Sequence, residues 1–567
     1  MKRHSTGALT PDQHTKQDAL YAQGHTYDYI IMGTGISALT AACLLANAGK
    51  RVCMLEAHDR PGGYGHSFRQ GDYWFCAQIH YIYGCAPGKP VYEFLKKVGL
   101  ERDITFELYD TNGYDHMIMP DGKRVPIPYG YDKLVDNVAA AYPNQREPMQ
   151  RFVRILENLR REGRNVPDRK IKWWEIITKG PFQAPTYLRL WMKNATLQDV
   201  FNECGLSKEA QAVIIANMGD MMAPPNELSI FAFTGLFGGY NTGAYYPTKH
   251  FKYVIDRYAA FITSHPGCHI YYETRVKSVT IDDDHDNVSG VVTSDGKVFK
   301  AAKYICNIDP QYTAEKLIGW QQFPKSFQKS LKYTYSPAGI MLYLGFKPGF
   351  DLREHNFGKF NIWHLTQWDM NNMWREQLLE HNFTNPWFFI STPALHTSDP
   401  GNTPPGCQNM EVATLASYEY FARLQEKSYA DYNREKTKLA DRLLDLVEQY
   451  HVPDLRKYLA VKAIGTSTTN DDFCIAPFGN AYGSHLNPKQ IGLNRLKSQT
   501  PFENLFWCNA SSGFAGFHGT TGTGMSLYMD LTGDRFFDSS KAPTDDELVG
   551  RIRQAVARGT PLVNTNL

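Results

Sequence analysis

The sequence predicts an α/β protein in which a doubly wound nucleotide-binding domain is interrupted by an inserted α+β domain. Three observations carry this. A strand, a glycine turn, a helix and a second strand follow one another in register from Tyr27 to Ala57. Three short alternating strands separated by turns fill 270–309, and a strand, a Gly-rich turn and a helix close the pattern at 503–536. Pieces of one domain spaced this widely leave the residues between them to another. The expected division is a nucleotide domain at 26–90, 245–310 and 456–540, and a substrate domain at 91–244 and 311–455. A flexible N-terminus (1–25) and a C-terminal tail (541–567) complete it.

In the first unit YDYIIMG reads as a buried strand, GTGISA as a tight turn and RVCMLEA as the second strand. Gly33 makes the turn, and Gly35 lets a pyrophosphate approach the backbone where Ile36 and Ser37 open the helix. Ala38 keeps helix and sheet close, and Gly49 suits the helix stop. Glu56 ends the second strand 21 residues after Gly35. A carboxylate there accepts hydrogen bonds from both hydroxyls of an adenosine ribose and repels a 2′-phosphate.

The whole chain has 567 residues, a formal charge of +2, 43% apolar and 21% charged residues. It is long enough for two or three cored domains, and nothing in its charge supports a nucleic-acid partner. Ten scattered cysteines without a C-x-x-C pair suit free thiols in a reducing compartment. There is no apolar leader and no run of 18 apolar residues, so the expectation is a cytoplasmic chain with no spanning helix. Aromatic residues reach 13%, enough to build a packed core or to line a large apolar tunnel.

Gly62-Gly63, following Glu56 by a short spacer that holds Ala57 and Arg60, resembles the extended fingerprint of FAD proteins of the glutathione-reductase and amine-oxidase type. The resemblance implies a Rossmann-type FAD-binding domain, with the strands at 270–309 extending it and YICNIDP as its closing strand. The implied cofactor is FAD, held by Gly33, Gly35, Ile36, Ser37, Ala38, Glu56, Ala57, Arg60, Gly62, Gly63 and Val276, and by Asn509, Ala510, Gly516, Gly519 and Thr520 of the last Gly-rich segment. Within that class, Gln78-Ile79-His80-Tyr81-Ile82-Tyr83-Gly84, Gly243-Ala244-Tyr245-Tyr246-Pro247 and Ala476-Pro477-Phe478-Gly479-Asn480-Ala481-Tyr482-Gly483 resemble the carotenoid desaturase, carotenoid isomerase and retinol saturase branch, nearest its saturase and isomerase side. The chain departs from that branch at Cys76 and Gln78, at Lys249-His250, at Asn509 where Gly is usual, and at His518 where Pro is common.

His80 and Tyr81, in an aromatic run, are candidate proton donors or ordinary core residues. His518, between Gly516 and Gly519, is a third candidate donor or a polar residue at a helix start. Tyr246, Phe478 and Tyr482 are candidates for the wall of a substrate channel, or for core packing. Asp282–Asp286 has oxygen ligands enough to suggest calcium, yet falls between two alternating strands and reads as a hairpin tip, so no metal is expected. Residues 151–195 hold eleven Lys or Arg against four acids, interleaved with Trp173, Trp174 and Trp191. That mixture suits either a helix lying in a membrane interface or a solvated basic cap.

The expected function is FAD-dependent chemistry on carbon–carbon double bonds of a long apolar polyene or isoprenoid lipid, by saturation or cis/trans isomerisation rather than desaturation. Alternatives are a polyunsaturated fatty acid isomerase or reductase, and a non-catalytic FAD-stabilised, membrane-associated carrier. No second nucleotide fold is visible, so electrons for a reductase would come from NAD(P)H at the flavin face or from an external donor.

Overall fold

A computed structural model of the chain describes residues 9–165 and 173–567. The nucleotide-binding half is a parallel sheet in the order His269–Tyr271, Val52–Leu55, Tyr27–Met32, Ala301–Cys306, Leu505–Trp507. Its strands are covered on both faces, which is why YDYIIM and VCML are almost wholly apolar. Tyr29 and Ile31 face the helices Ile36–Asn47 and Gly516–Thr532, while Ile30 and Met32 face the small antiparallel sheet Val276–Ile281, Val288–Thr293 and Val298–Phe299. The two helices touch through Gly524, where a Cβ would come within 2.4 Å of the Ser37 carbonyl oxygen. Asp282–Asn287 is the hairpin tip, with Asp282 Oδ1 accepting the amides of Asp286 and Asn287 at 3.0 and 3.1 Å.

The second domain is built on a seven-stranded sheet in the order Leu459–Gly465, Gly339–Phe346, Asn409–Leu415, Phe388–Ser391, Asn361–His364, Asp115–Ile118, Arg124–Ile127. Neighbours are antiparallel except Asn361–His364 with Asp115–Ile118. On one face Ile340, Leu342, Met410, Val412, Ile362 and Phe388 pack under the Tyr429–Tyr450 helix. Strand alternation therefore turns Met341, Glu411, Ala413, Trp363, Phe389 and Asp115 to the opposite face, toward the nucleotide-binding half.

Three expected boundaries are corrected. The N-terminal segment contains a helix, Pro11–Ala22, closed by a Thr10–Gln13 capping box and docked through Gln17, whose Nε2 donates to the Tyr272 carbonyl at 3.1 Å. The nucleotide domain does not resume at 456, because Leu459–Gly465 pairs with Gly339–Phe346 in the other sheet. Residues 541–567 are not a loose tail: the Asp545–Ala557 helix buries Leu548, Val549 and Ile552, and buried Asn564 bonds Phe106 N at 2.8 Å and the Cys85 carbonyl at 2.9 Å. The two helices start on local capping boxes, Thr10–Gln13 and Thr544–Glu547, whereas their docking and the pairing of Leu459–Gly465 rest on long-range contacts.

Among the described residues all ten cysteines are free, and no helix is long and apolar enough to cross a membrane. Part of the basic aromatic segment, 166–172, and the Trp173 and Trp174 side chains lie outside the described residues.

Candidate active site

An elongated cavity of about 310 Å³, open at its mouth, runs between the two sheets. One end is the glycine turn. Gly33 has φ +96°, and Gly62 with φ +120° brings the second glycine pair alongside the first, so that Gly62 N donates to the Thr34 carbonyl at 3.0 Å. A Cβ on Gly63 would lie 3.2 Å from Gly35 Cα, so this close passage of two chains excludes larger residues. Asn307, just past the Ala301–Cys306 strand, clamps the turn: its Oδ1 accepts Gly35 N at 2.8 Å, and its Nδ2 donates to Ser37 Oγ at 3.0 Å and the Cys508 carbonyl at 2.5 Å.

Glu56 stands at the same end. Its Oε1 accepts the His58 amide at 2.8 Å, and its Oε2 accepts the Thr34 amide at 3.0 Å and the Thr34 hydroxyl. Burial pushes the carboxyl above its ordinary pKa, and these donors pull it back. Further along, Asn509 Oδ1 accepts the amides of Ser511 and Ser512 at 3.1 and 3.0 Å, a local turn that leads to Gly516 at the start of the last helix. Ala510, Gly516, Phe517 and Thr520 form this part of the wall.

Beyond it the wall becomes apolar, with Ile79, Met341, Trp363, Trp387, Phe389, Ala413 and Tyr482. Polar residues interrupt it, among them Gln78, Thr414, His80 and Asp220. His80 presents its ring to the cavity with Nδ1 2.7 Å from Glu411 Oε2, a carboxylate only 1% exposed. Asp220 reaches the wall from the short turn Met218–Asp220.

The profile of the flavin containing amine oxidoreductase family matches residues 36–526. The chain belongs to this family. It is an FAD-dependent enzyme, so the reading as a non-catalytic carrier is set aside. Among related proteins, the all-trans-retinol 13,14-reductase of Danio rerio is 24% identical, over 87% of this chain and 84% of its own length. The chloroplastic prolycopene isomerase of Arabidopsis thaliana is 23% identical, over 86% of this chain and 80% of its own. The fold is shared with cyclohexylamine oxidase from Brevibacterium oxydans, which aligns with a TM-score of 0.57 and 15% identity over 93% of this chain and all of that one. An oxidoreductase from Methanosarcina mazei aligns with a TM-score of 0.56 and 13% identity over 88% and 99%.

In this flavin enzyme the cavity wall includes Gly33, Gly35, Ile36, Ser37, Glu56, Ala57, Arg60, Gly62, Gly63, Val276, Asn509, Ala510, Gly516, Thr520, His80 and Tyr482. Six sequence candidates lie elsewhere. Ala38 is wholly buried in the helix–sheet contact, and Gly519 abuts Phe514, whose Cβ a side chain there would meet at 2.8 Å. Tyr81 points behind the wall to Asp115 and Asp220. Tyr246 is buried against Phe251 and His396. Phe478, at φ +56°, is 55% exposed beside Tyr335 and Tyr418, and Pro477 and Asn480 take the wall in its stead.

His518 is the largest correction. Phe517 and Thr520 face the cavity, and the helical period turns His518 away. His518 stacks on Tyr83 at 4.4 Å against Gly84, and burial pushes its pKa down to about 3, so it is a neutral packing residue. Sequence reasoning missed Asn307, Asp220, Glu411 and the wall aromatics. Only Asn307 carried a signal, as the polar residue directly after the closing strand in YICNIDP.

Proposed function

We propose that the enzyme saturates or isomerises carbon–carbon double bonds of a long apolar polyene. The observation that carries this is the continuity of the cavity: the glycine cradle opens without a break into a slot walled by Met341, Trp363, Trp387 and Phe389. Such a wall favours an extended hydrocarbon by burial and offers it few hydrogen bonds. The names of the retinol reductase and prolycopene isomerase relatives agree with that substrate class.

The residues present fit FAD. The paired glycine segments leave backbone room for a pyrophosphate where the helix dipole favours negative charge, at Gly35–Ser37. Glu56 would hold the adenosine ribose, and the Asn509–Gly516 turn with the helix behind it would border the flavin end. Bound there, FAD supplies the hydride or electron chemistry. The protein orients the polyene along the aromatic wall, keeps bulk water out and presents His80 and Asp220 as polar groups beside it.

A polyene of this kind resides in membranes, and the enzyme would meet it there. Of the basic aromatic segment, Phe182 is 86%, Met192 70% and Trp191 37% exposed, a set of large apolar side chains suited to an interface. Reducing equivalents come to the flavin from outside the chain.

The test is conversion of a retinoid, a carotenoid or a polyunsaturated fatty acid by anaerobically reduced enzyme. A product heavier by two hydrogens with reoxidised flavin is saturation; a changed isomer at constant mass and flavin state is isomerisation. Turnover only with oxidised flavin, yielding a product two hydrogens lighter, overturns the reading. Conversion confined to the fatty acid replaces the polyene by that lipid.

A further inference from the structure

Behind the aromatic wall lies a phenol held between two carboxyls from distant parts of the chain. The Tyr81 hydroxyl is 2.5 Å from Asp220 Oδ2 and 2.9 Å from Asp115 Oδ2. A phenol has one proton to donate and can satisfy one carboxylate. The second contact is a hydrogen bond only if that carboxyl carries its own proton and donates it to the phenolic oxygen. The geometry therefore calls for a protonated carboxyl within the trio.

The surroundings agree. Asp115 is wholly buried, and the side chain that contacts its other oxygen is the neutral amide of Asn361, at 3.2 Å. Tyr240 stacks on Tyr81 at 4.2 Å and Tyr109 at 5.8 Å. Among the described residues neither Asp115 nor Asp220 pairs with Lys, Arg or His. Two like charges about one oxygen, desolvated and uncompensated, are costly, so one is discharged by keeping a proton. Burial pushes both carboxyls up, and for Asp220 the charge of Asp115 adds to it.

Only Asp220 of the three reaches the cavity. The preceding Gly219 is pressed against the slot, where a Cβ would meet Trp387 at 2.8 Å and Trp363 at 3.0 Å, and its carbonyl lies 3.4 Å from the Tyr482 hydroxyl. Asp220 thus stands among the residues that would flank a bound polyene.

We propose that Asp220 is the acid that protonates the substrate double bond, and that Tyr81 and Asp115 are positioning residues that hold and resupply its proton. This rests on the polyene reading above. In saturation the π bond breaks and two C–H bonds form. Reduced flavin, when bound, would supply a hydride with its two electrons to one carbon and would itself be oxidised, while the neighbouring carbon takes the Asp220 proton. The trio carries one carboxylic proton: from Asp115 it passes to Tyr81 as the phenolic proton passes to Asp220, and from Asp220 to the substrate, which leaves both carboxyls ionised until the next proton arrives. After product leaves, solvent entering the cavity returns a proton along the same path.

The test has two arms on FAD-loaded protein. The infrared difference between wild type and Asp220→Asn at neutral pH is expected to contain the carbonyl stretch of a protonated carboxylic acid, shifted in D2O, and the difference against Tyr81→Phe to perturb the same band. Absence of the band overturns the proposal. In the second arm all-trans-retinol, or whichever polyene the wild type converts, is supplied to reduced enzyme in D2O. Wild type is expected to place solvent deuterium on the carbon that takes the Asp220 proton, and Asp220→Asn to lose about 100-fold or more in conversion at unchanged FAD content. Tyr81→Phe and Asp115→Asn are expected to slow resupply, lowering kcat with KM unchanged. Asp220→Asn that converts substrate at the wild-type rate overturns the proposal. A wild type that shows the band but converts no polyene overturns the substrate reading instead.

Discussion

His80 Nδ1 lies 2.7 Å from Oε2 of Glu411, a residue 331 positions away whose other carboxylate oxygen has no hydrogen-bond partner among the described residues. Glu411 sits on the inward face of its strand and is 1% exposed, so the imidazole is its compensation. Removing one partner strands a buried group, while removing both does not. His80→Leu is expected to cost about 3–5 kcal/mol in urea unfolding, and His80→Leu/Glu411→Leu to recover most of it. A double variant that loses the sum of the His80→Leu and Glu411→Leu losses would show that the pair is not coupled.

Asp115 carries a pH signature. Burial raises its carboxyl from the ordinary 3.8 to about 7 in the folded protein. A raised carboxyl favours the folded state fully below the unfolded value, and that contribution is lost as pH rises through the folded one. The stability of wild type relative to Asp115→Asn is thus expected to fall between about pH 4 and pH 7, by on the order of 3 kcal/mol. Chemical denaturation at a series of pH values measures it. A flat difference would place Asp115 in a solvated or ion-paired site.

Glu56 is expected to dominate the affinity for the adenosine half of FAD. The purified protein should be yellow, with one non-covalent FAD per chain. Glu56→Ala should weaken retention by about 1.5–3 kcal/mol through loss of charged hydrogen bonds. Absorbance after dialysis reports both. A colourless protein indifferent to added FAD would contradict the cradle described here.

His518 is expected to matter for packing alone. His518→Ala opens a void against Tyr83 and Gly84, lowering the unfolding free energy by roughly 1–3 kcal/mol, while turnover per bound flavin stays within a few-fold of wild type. Rate loss without stability loss would return His518 to the list of proton donors.

The exposed side chains Phe182, Trp191 and Met192 are expected to anchor the protein on anionic liposomes. Replacing all three by Ser should move it to the supernatant on sedimentation, and high salt should weaken wild-type binding by screening the neighbouring basic residues. Partitioning unchanged by the triple replacement would assign these residues to the folded body.

What the sequence by itself determined is the nucleotide half. Turns such as Gly33–Gly35, the helix start at Ile36 and the strand-ending Glu56 depend on backbone conformation and spacing within about thirty residues, and those constraints are written consecutively. Strand alternation likewise makes it readable that Trp363, Phe389 and Glu411 point to one side of their own strands. It does not say which strand lies beside which, or that this shared side closes on His80. Asn307, Glu411 and the Asp115–Tyr81–Asp220 trio exist only once residues up to hundreds of positions apart are brought within hydrogen-bond reach, and burial then changes their ionisation. The same dependence misled the reading of His518 and Phe478. Each stands next to a wall residue in the chain, and only helical phase in one and a left-handed backbone in the other turn them away. A side chain's neighbours along the chain set its conformation, whereas its solvent and its charge are set by groups that arrive from elsewhere.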